Sequence, residues 1–561
     1  MECYSGIPDI PKEESGTLFD DTQLQPMSQH YDALIVGAGI AGSALAHALS
    51  TIPRTNGKML RIALLERSLA EPDRIVGELL QPGGVMALRR LGLEPCLENM
   101  DAIPVHGYCV YDNGKSVHIP YPEGYQGRSF HHGRFVMNLR EAAKRAKGVD
   151  VIEATVTDLL ENTCSDRVIG VRAMRKKPAI SSKTPPMELP MIVASSEGEK
   201  ESFFADLVFI ADGCFSNFRT AVLGDKMKPD TNSHFVGAIL ENATLPIPQH
   251  GTVALVHGSG PVLMYQIGPK DTRMLVDIKI PLPKDLKAHI LTNVLPQLPP
   301  TVHQSIRNAL DKDRLRRMPN SFMPAVKQGS PGGKKGIILV GDSWNMRHPL
   351  TGGGMTVALH DVVLLRDLLS CVDNLTDWEH IRRLLHRWHW KRKPLASTVN
   401  ILSVALYDLF GADGEELDIL RTGCFKYFEL GGECINGPVS LLSAIIPSPS
   451  LLAYHFFSVA FYALWVLFTH PRLVPTSADE KPHLRVPRLH EYPELLVKSM
   501  RTFWTACVVF GPLVWSEIRW WAPHDSAMRS KLIVSAFLPL AVVILGASLS
   551  WNWIVHSGVV R

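Results

Sequence analysis

The spacing of apolar and polar positions changes along this chain, and each change marks a part of it. Residues 1–30 mix Pro, Ser, Asp, Glu and Gln without a period, which predicts a tail with no packed core of its own. The apolar run Tyr31–Val36 (YDALIV) then reads as a buried strand, and the Ala/Leu-rich residues after it as a helix. Arg61–Arg67 (RIALLER) is a second apolar strand. Glu71–Gly84 reads as a turn leading into a helix that ends at a Gly/Pro break, Val105–Tyr121 as strands, and Ser129–Lys147 as a helix from Phe135 onward. Val149–Val156, Arg167–Ala173 and Ala205–Ile210 have strand character. The Lys/Ser/Pro-rich interval Arg175–Pro190 is too polar to pack and reads as a surface insertion. Across residues 233–282 the alternation is that of an antiparallel sheet with one face covered. A helical stretch over residues 284–312 and a buried strand at Lys335–Val340 follow.

The last third differs in kind. Residues 438–469 and 532–560 contain no Asp, Glu, Lys or Arg, and a shorter apolar run occupies Thr502–Trp515. Either long run is sufficient to cross about 30 Å of hydrocarbon as a helix. Three arrangements fit: a buried core bundle, helices that span a membrane, or a hairpin held in one leaflet that frames an entrance for a lipid substrate. In either membrane arrangement Trp465, Trp551 and Trp553 would lie at headgroup level, with Trp388–Lys393 (WHWKRK) as either an interfacial contact or a solvated helix end.

At 561 residues there is room for two or three domains. The 58 Lys and Arg against 55 Asp and Glu leave a net charge of +3, which gives no electrostatic footprint for nucleic acid. Nine scattered cysteines without a C-x-x-C pair argue against a disulfide framework and against a zinc site, and fit a reducing, cytosol-facing environment. The first residues lack the basic and apolar regions of a cleaved secretory signal, so membrane attachment is expected to come from elsewhere. His131 and His132 are adjacent and so point in different directions on any regular element; they read as structural histidines, and no metal site is expected.

Candidate chemistry lies in the glycine turns. Val36–Leu49 (VGAGIAGSALAHAL) places G-x-G-x-x-G between a strand and a helix, the context in which that motif binds a dinucleotide. Gly37 is assigned to the tight turn, Gly39 to close approach of a pyrophosphate, and Gly42 to packing of helix on strand. Glu66, at the end of the second strand, is placed to accept from ribose hydroxyls and to repel a 2′-phosphate. Further on, Asp212-Gly213 follows a strand with Ser216 and Arg219 behind it. Gly341-Asp342 ends another strand, placing Asp342 to hydrogen-bond the ribityl hydroxyls of a flavin. Gly352, Gly353 and Gly354 lead into a helix near Met355, whose free N–H groups would face negative charge collecting on a reduced flavin.

With these motifs in this order, the chain resembles the flavoprotein monooxygenases of the para-hydroxybenzoate hydroxylase fold. The strings DRIVGELLQPGG, HHGRFVMNLR, ADGCFSNFR and GDSWNMRHPLTGGGMTVAL look like the squalene monooxygenase (squalene epoxidase) family, over roughly residues 30–400 with an apolar tail beyond. That resemblance implies an α/β fold with a discontinuous Rossmann-like FAD-binding domain (31–104, 129–225 and 330–395). A substrate domain (105–128 and 226–329) would be inserted as an antiparallel sheet, and a helical, membrane-associated region would occupy 396–561.

The resemblance further implies FAD along Ile40, Ala41, Glu66, Arg67, Arg74, Leu79, Arg140, Val156, Asp342 and Met355, beside the glycines and Asp212. It sets Gln81 and Tyr108 next to the isoalloxazine at the squalene pocket, whereas Tyr108 alone reads as a core or sheet-face aromatic. The implied reaction is epoxidation of squalene to 2,3-oxidosqualene, in sterol biosynthesis, by a flavin C4a-hydroperoxide formed with O2. No catalytic nucleophile is implied. NADPH would supply electrons through NADPH–cytochrome P450 reductase, at the endoplasmic reticulum membrane with the catalytic domain facing the cytosol. A flavin hydroxylase or reductase of another isoprenoid, and a flavin-binding membrane protein without turnover, remain as alternatives.

Overall fold

A computed structural model describes residues 30–53, 57–175, 199–224, 227–312, 314–330, 332–411, 414–474 and 483–519. The tail 1–29, residues 176–190 of the insertion and the apolar run 532–560 lie outside the described residues.

His30–Val36 runs through the middle of a six-stranded sheet. It pairs in parallel with Ile62–Glu66 on one side and with Glu199–Ile210 on the other. Val149–Asn162 extends the parallel set beyond Ile62–Glu66, and Ile337–Leu339 beyond Glu199–Ile210. Arg167–Arg175 joins the far ends of two of these strands as an antiparallel ribbon. Because both faces of the central strands are covered, their paired residues are near-continuously apolar rather than alternating: Ala33, Leu34 and Ile35 have no solvent exposure, whereas the outer strand Val149–Asn162 carries Asp150, Glu153, Asp158 and Glu161. Truncating Ile35 to Ala would cost about 2–5 kcal/mol in lost contacts and cavity.

The helix Ile40–Ser50 packs on this sheet beside Gly353–Leu369, and the two touch one another. A second sheet has seven strands. Its order is Arg316–Phe322, Asp230–Glu241, Asp271–Lys279, Val262–Gln266, Gly251–Ala254, Gly107–Asp112, Lys115–Pro120. Its members are antiparallel except where Gly251–Ala254 runs parallel to Gly107–Asp112, the join between the two chain segments that build it.

Several boundaries differ from the sequence reading. Glu71–Glu78 forms no helix; the helix is Pro82–Leu91 and starts where a break was expected. Pro82 occupies its first turn, where a missing N–H costs nothing and φ is already helical. Gly83 sits inside this helix because a Cβ there would lie 2.6 Å from the Ala444 carbonyl oxygen. The helix expected from Phe135 begins at His132. The stretch 284–312 is not one helix: Pro296, Pro299 and Pro300 divide it into short turns before His303–Asp311.

Five helices close the described chain: Trp378–Phe410, Glu415–Glu429, Glu433–Leu442, Pro449–Thr469 and Tyr492–Arg519. The charge-free run 438–469 is broken at residues 443–448, and the 502–515 run lies within the last helix. Pro449–Thr469, of 21 residues, is long and apolar enough to cross a membrane. WHWKRK is not a helix end, and of its six residues Trp390 and Lys391 face solvent. It lies inside Trp378–Phe410, with Trp388, Arg392 and Lys393 buried. Arg392 forms a bidentate pair with Asp361 at 2.8 Å, and Trp388 donates to the Asp361 carbonyl at 3.1 Å. The 33-residue length carries its polar residues under neighbouring helices, which a six-residue window cannot reveal.

Candidate active site

A cavity of about 580 Å³ lies where the two large sheets meet. Gly39, Ala211 and Gly341 reach it from the carboxyl ends of parallel strands, the end at which open α/β sheets take ligands. Thr252, Leu263 and Leu275 form the opposite wall from the second sheet.

The three glycines of the first turn have different surroundings. Gly37 has φ +100°, and a Cβ there would lie 2.5 Å from the Ala211 carbonyl oxygen. At Gly42 a Cβ would lie 1.8 Å from the Gly37 oxygen, so side-chain absence is what lets helix meet turn. Gly39 has nothing within 4 Å of its Cβ position and opens on the cavity. Ile40 and Ala41 continue the same wall.

Glu66 holds this turn from beneath: its Oε2 accepts from the Ala38 N–H at 2.7 Å and lies 3.6 Å from Arg140 Nη2. Arg140 is buried, and its Nε and Nη1 donate to the carbonyls of Ala38 and Ala70 at 2.8 and 3.0 Å. Burial pulls its guanidinium pKa below the usual value, partly offset by Glu66. Glu66, Arg67, Arg140 and Val156 stand outside the cavity wall. Arg67 is exposed, and Val156 packs against the main core.

Asp212 is also outside the wall. Its Oδ2 accepts from the Asn217 N–H at 3.0 Å, while its buried Oδ1 has no hydrogen-bond partner. Burial raises its carboxyl pKa. The residue that ties this turn to the rest is Arg219. Buried, it donates to the carbonyls of Cys214, Asp342 and Ser343, each at 2.9 Å, and to that of Gly213 at 3.3 Å.

Asp342 lines the cavity one residue after Gly341, which has φ +69° and stands close to Ala41. In the glycine run, Gly352 has φ +62° and ends the turn Pro349–Thr351. Gly353 packs against Val399, 2.3 Å from where its Cβ would be, and so serves helix packing. Gly354 has open space around it and faces the cavity, as Met355 does. Leu79 and Arg74 complete this side, with Arg74 Nη2 3.5 Å from Cys214 Sγ.

Gln81 and Tyr108 are brought together, the Gln81 amide donating to the Tyr108 hydroxyl. The same amide nitrogen donates to the Thr351 carbonyl at 2.8 Å, and Tyr121 donates to Gln81 Oε1 at 2.7 Å. Tyr108 lines the cavity, whereas Gln81 lies just behind it with no solvent exposure. Burial raises both phenol pKa values, so the cluster stays neutral at physiological pH.

Sequence reasoning missed Tyr121, and it missed Glu78. Glu78 lines the cavity as half of a buried bidentate pair with Arg273 at 2.7 and 2.8 Å. An acid and a base 195 positions apart leave no local signal. His132, also on the cavity, donates through Nδ1 to the Gly77 carbonyl at 2.8 Å, and burial lowers its pKa to about 4. His131 pairs with Asp271 at 3.1 Å, and among the described residues no three His, Cys, Asp or Glu side chains are grouped as metal ligands would be.

Comparison with known proteins places the chain. A squalene epoxidase family model matches residues 204–478. The squalene epoxidase erg1 of Aspergillus fumigatus is 44% identical over 505 residues, 87% of this chain and 94% of that protein. Squalene monooxygenase of Mus musculus is 40% identical over 497 residues, covering 87% and 78%. Among solved structures, the flavin-dependent brominase Bmp2 superposes with TM-score 0.55 at 15% identity, over 77% of this chain and 99% of that one. The myxobacterial chondrochloren halogenase CndH, a FAD-dependent halogenase, gives TM-score 0.54 at 16% identity, over 80% and 98%. At such identities the likeness establishes the fold.

Proposed function

The chain belongs to the squalene epoxidase family, and from that premise we propose that it epoxidises squalene to 2,3-oxidosqualene, an early step of sterol biosynthesis, using FAD, O2 and electrons from NADPH. The observation that carries this reading is one cavity shared by the Gly39, Asp342 and Gly354 turns and an apolar sheet wall. The residues present fit FAD. Gly39 and Gly354 leave open space where any side chain would intrude, and Asp342 offers a carboxylate between them. Glu66, Arg67, Arg140 and Val156, outside the cavity wall, are assigned to the adenosine half, with Glu66 and Arg140 also shaping the first turn through Ala38.

Bound FAD supplies the activation of O2 and transfer of one oxygen atom to the alkene. The chain's own work is to bind, orient and keep water out. Leu263, Leu275, Leu350 and Val253 give a wall that accepts a hydrocarbon without polar competition. Tyr108 stands at that wall with Thr252 and Tyr265, and Gln81 and Tyr121 fix its direction. NADPH–cytochrome P450 reductase is proposed as the electron donor.

The membrane reading is supported by the last helix, Tyr492–Arg519. Val497, Met500, Trp504, Val508 and Trp515 recur at helical spacing and are each about half exposed or more. We place this face in the endoplasmic reticulum membrane, with the catalytic cavity toward the cytosol. The assay that tests the electron route uses detergent-solubilised full chain with FAD, NADPH and squalene, with and without P450 reductase. Epoxide only with reductase supports it; NADPH oxidation without reductase assigns the chain to the self-reducing hydroxylases.

A further inference from the structure

A buried polar chain connects the last described helix to the glycine run. Glu517, on Tyr492–Arg519, is 3% exposed. Its Oε2 accepts from Lys393 Nζ and Ser397 Oγ, each at 2.7 Å, and its Oε1 from Asn400 Nδ2 at 3.0 Å. Asn400 turns its oxygen the other way, accepting from Arg347 Nε at 2.9 Å. Arg347 is buried and lines the cavity, and its Nη1 donates to the carbonyls of Gly353 at 3.2 Å and Gly354 at 3.5 Å. Those carbonyls belong to the first turn of Gly353–Leu369, the turn that presents Gly354 to the cavity.

Apolar residues of similar volume often serve stability as well as a buried ion network does. What the network adds is geometry. Arg347 meets two carbonyls of one turn and is itself aimed by the Asn400 amide at Nε, with the Asn345 carbonyl at 3.4 Å from Nη2 as its other anchor, so moving Glu517 moves one of the two groups that set the aim. We propose that Arg347 is a positioning residue that couples seating of the C-terminal helix to flavin affinity, by holding the Gly353–Gly354 turn in a geometry set through Asn400 and Glu517. The proposal rests on the reading of that turn as the FAD site. Linkage makes the coupling reciprocal: FAD must tighten Tyr492–Arg519 by the factor by which the seated helix tightens FAD.

The test uses full-length protein in detergent with FAD itself as probe. FAD Kd is read by quenching of flavin fluorescence, and hydrogen–deuterium exchange of peptides spanning 492–519 is followed with and without FAD. In the wild type FAD slows exchange in that helix. Asn400→Ala weakens FAD about tenfold and abolishes the slowing. Lys393→Met with Glu517→Gln removes both charges together, leaving neither unpaired, and weakens FAD likewise. Wild-type Kd in both variants, or exchange in 492–519 indifferent to FAD, overturns the coupling while FAD binding stands. A wild-type chain that binds no FAD overturns the flavin reading and the proposal together.

Discussion

Arg219 donates to the main-chain carbonyl of Asp342 at 2.9 Å across 123 positions of sequence, so that one buried cation joins the turn after Asp212 to the turn that carries Asp342. The two motifs are thereby one piece of structure. Replacing Arg219 by Ala leaves the carbonyls of Cys214, Asp342 and Ser343 without their donor. A loss of roughly 2–4 kcal/mol is expected. Thermal unfolding of the FAD-loaded chain measures it, and FAD should rescue the variant less than the wild type.

The glycines separate folding from binding. Gly39→Ala meets no atom within 4 Å and has a φ of −80° that alanine adopts readily, so the chain should fold with near-normal stability. FAD affinity should fall at least about tenfold, since in the proposed FAD site the methyl group would take pyrophosphate space. Gly42→Ala forces a Cβ to 1.8 Å from a carbonyl oxygen and should destabilise the chain with or without FAD. Paired melting curves and FAD titrations of the two variants decide; equal effects on folding would sink the distinction.

Asp342→Ala should yield folded protein that purifies without yellow colour. Absorbance near the flavin band, compared with protein concentration, is the readout. Full flavin content in that variant would remove Asp342 from the site.

Tyr108→Phe keeps the ring and its edge contact with Tyr121, whose centroid lies 5.8 Å away, while deleting the oxygen that meets Gln81. Squalene turnover should fall on the order of tenfold at unchanged FAD Kd. If FAD affinity falls instead, Tyr108 acts on the cofactor and not on the substrate.

His132 gives a pH signature. Its folded-state pKa is lowered from 6.5 to about 4 by burial, so the unfolded chain binds the extra proton first as pH falls. Its contribution to stability is complete above pH 6.5 and is lost progressively toward pH 4, about 3 kcal/mol in all. His132→Gln should flatten the slope of stability against pH in that window, measured by chemical denaturation. An unchanged slope would assign the acid sensitivity elsewhere.

What was legible in the sequence is what local physics sets. The strand, turn and helix at Val36–Leu49 follow from the apolar period and glycine spacing, and the different needs of Gly37 and Gly42 are visible in their backbone surroundings. The direction of Pro82–Leu91 was not legible, because proline and glycine mark a helix start as readily as a stop, and Ala444, far along the chain, is what requires Gly83. Clusters assembled across the fold were hidden for the same reason. Nothing near Gln81 announces Tyr121, nothing near Lys393 announces Glu517, and the basic look of WHWKRK gives no hint that Asp361 waits for Arg392. Resemblance of whole strings brought Gln81 and Tyr108 forward; their hydrogen bond came only with the fold.

Isotope labelling decides whether the chain transfers an atom of O2 to squalene. Detergent-solubilised chain with FAD, NADPH, P450 reductase and squalene is run under 18O2, and the product is analysed by mass spectrometry. The expected product is 2,3-oxidosqualene carrying one 18O atom, the other atom leaving as water, with no product when FAD is omitted. Flavin-loaded protein that leaves squalene untouched, or an epoxide whose oxygen comes from water, would contradict that transfer.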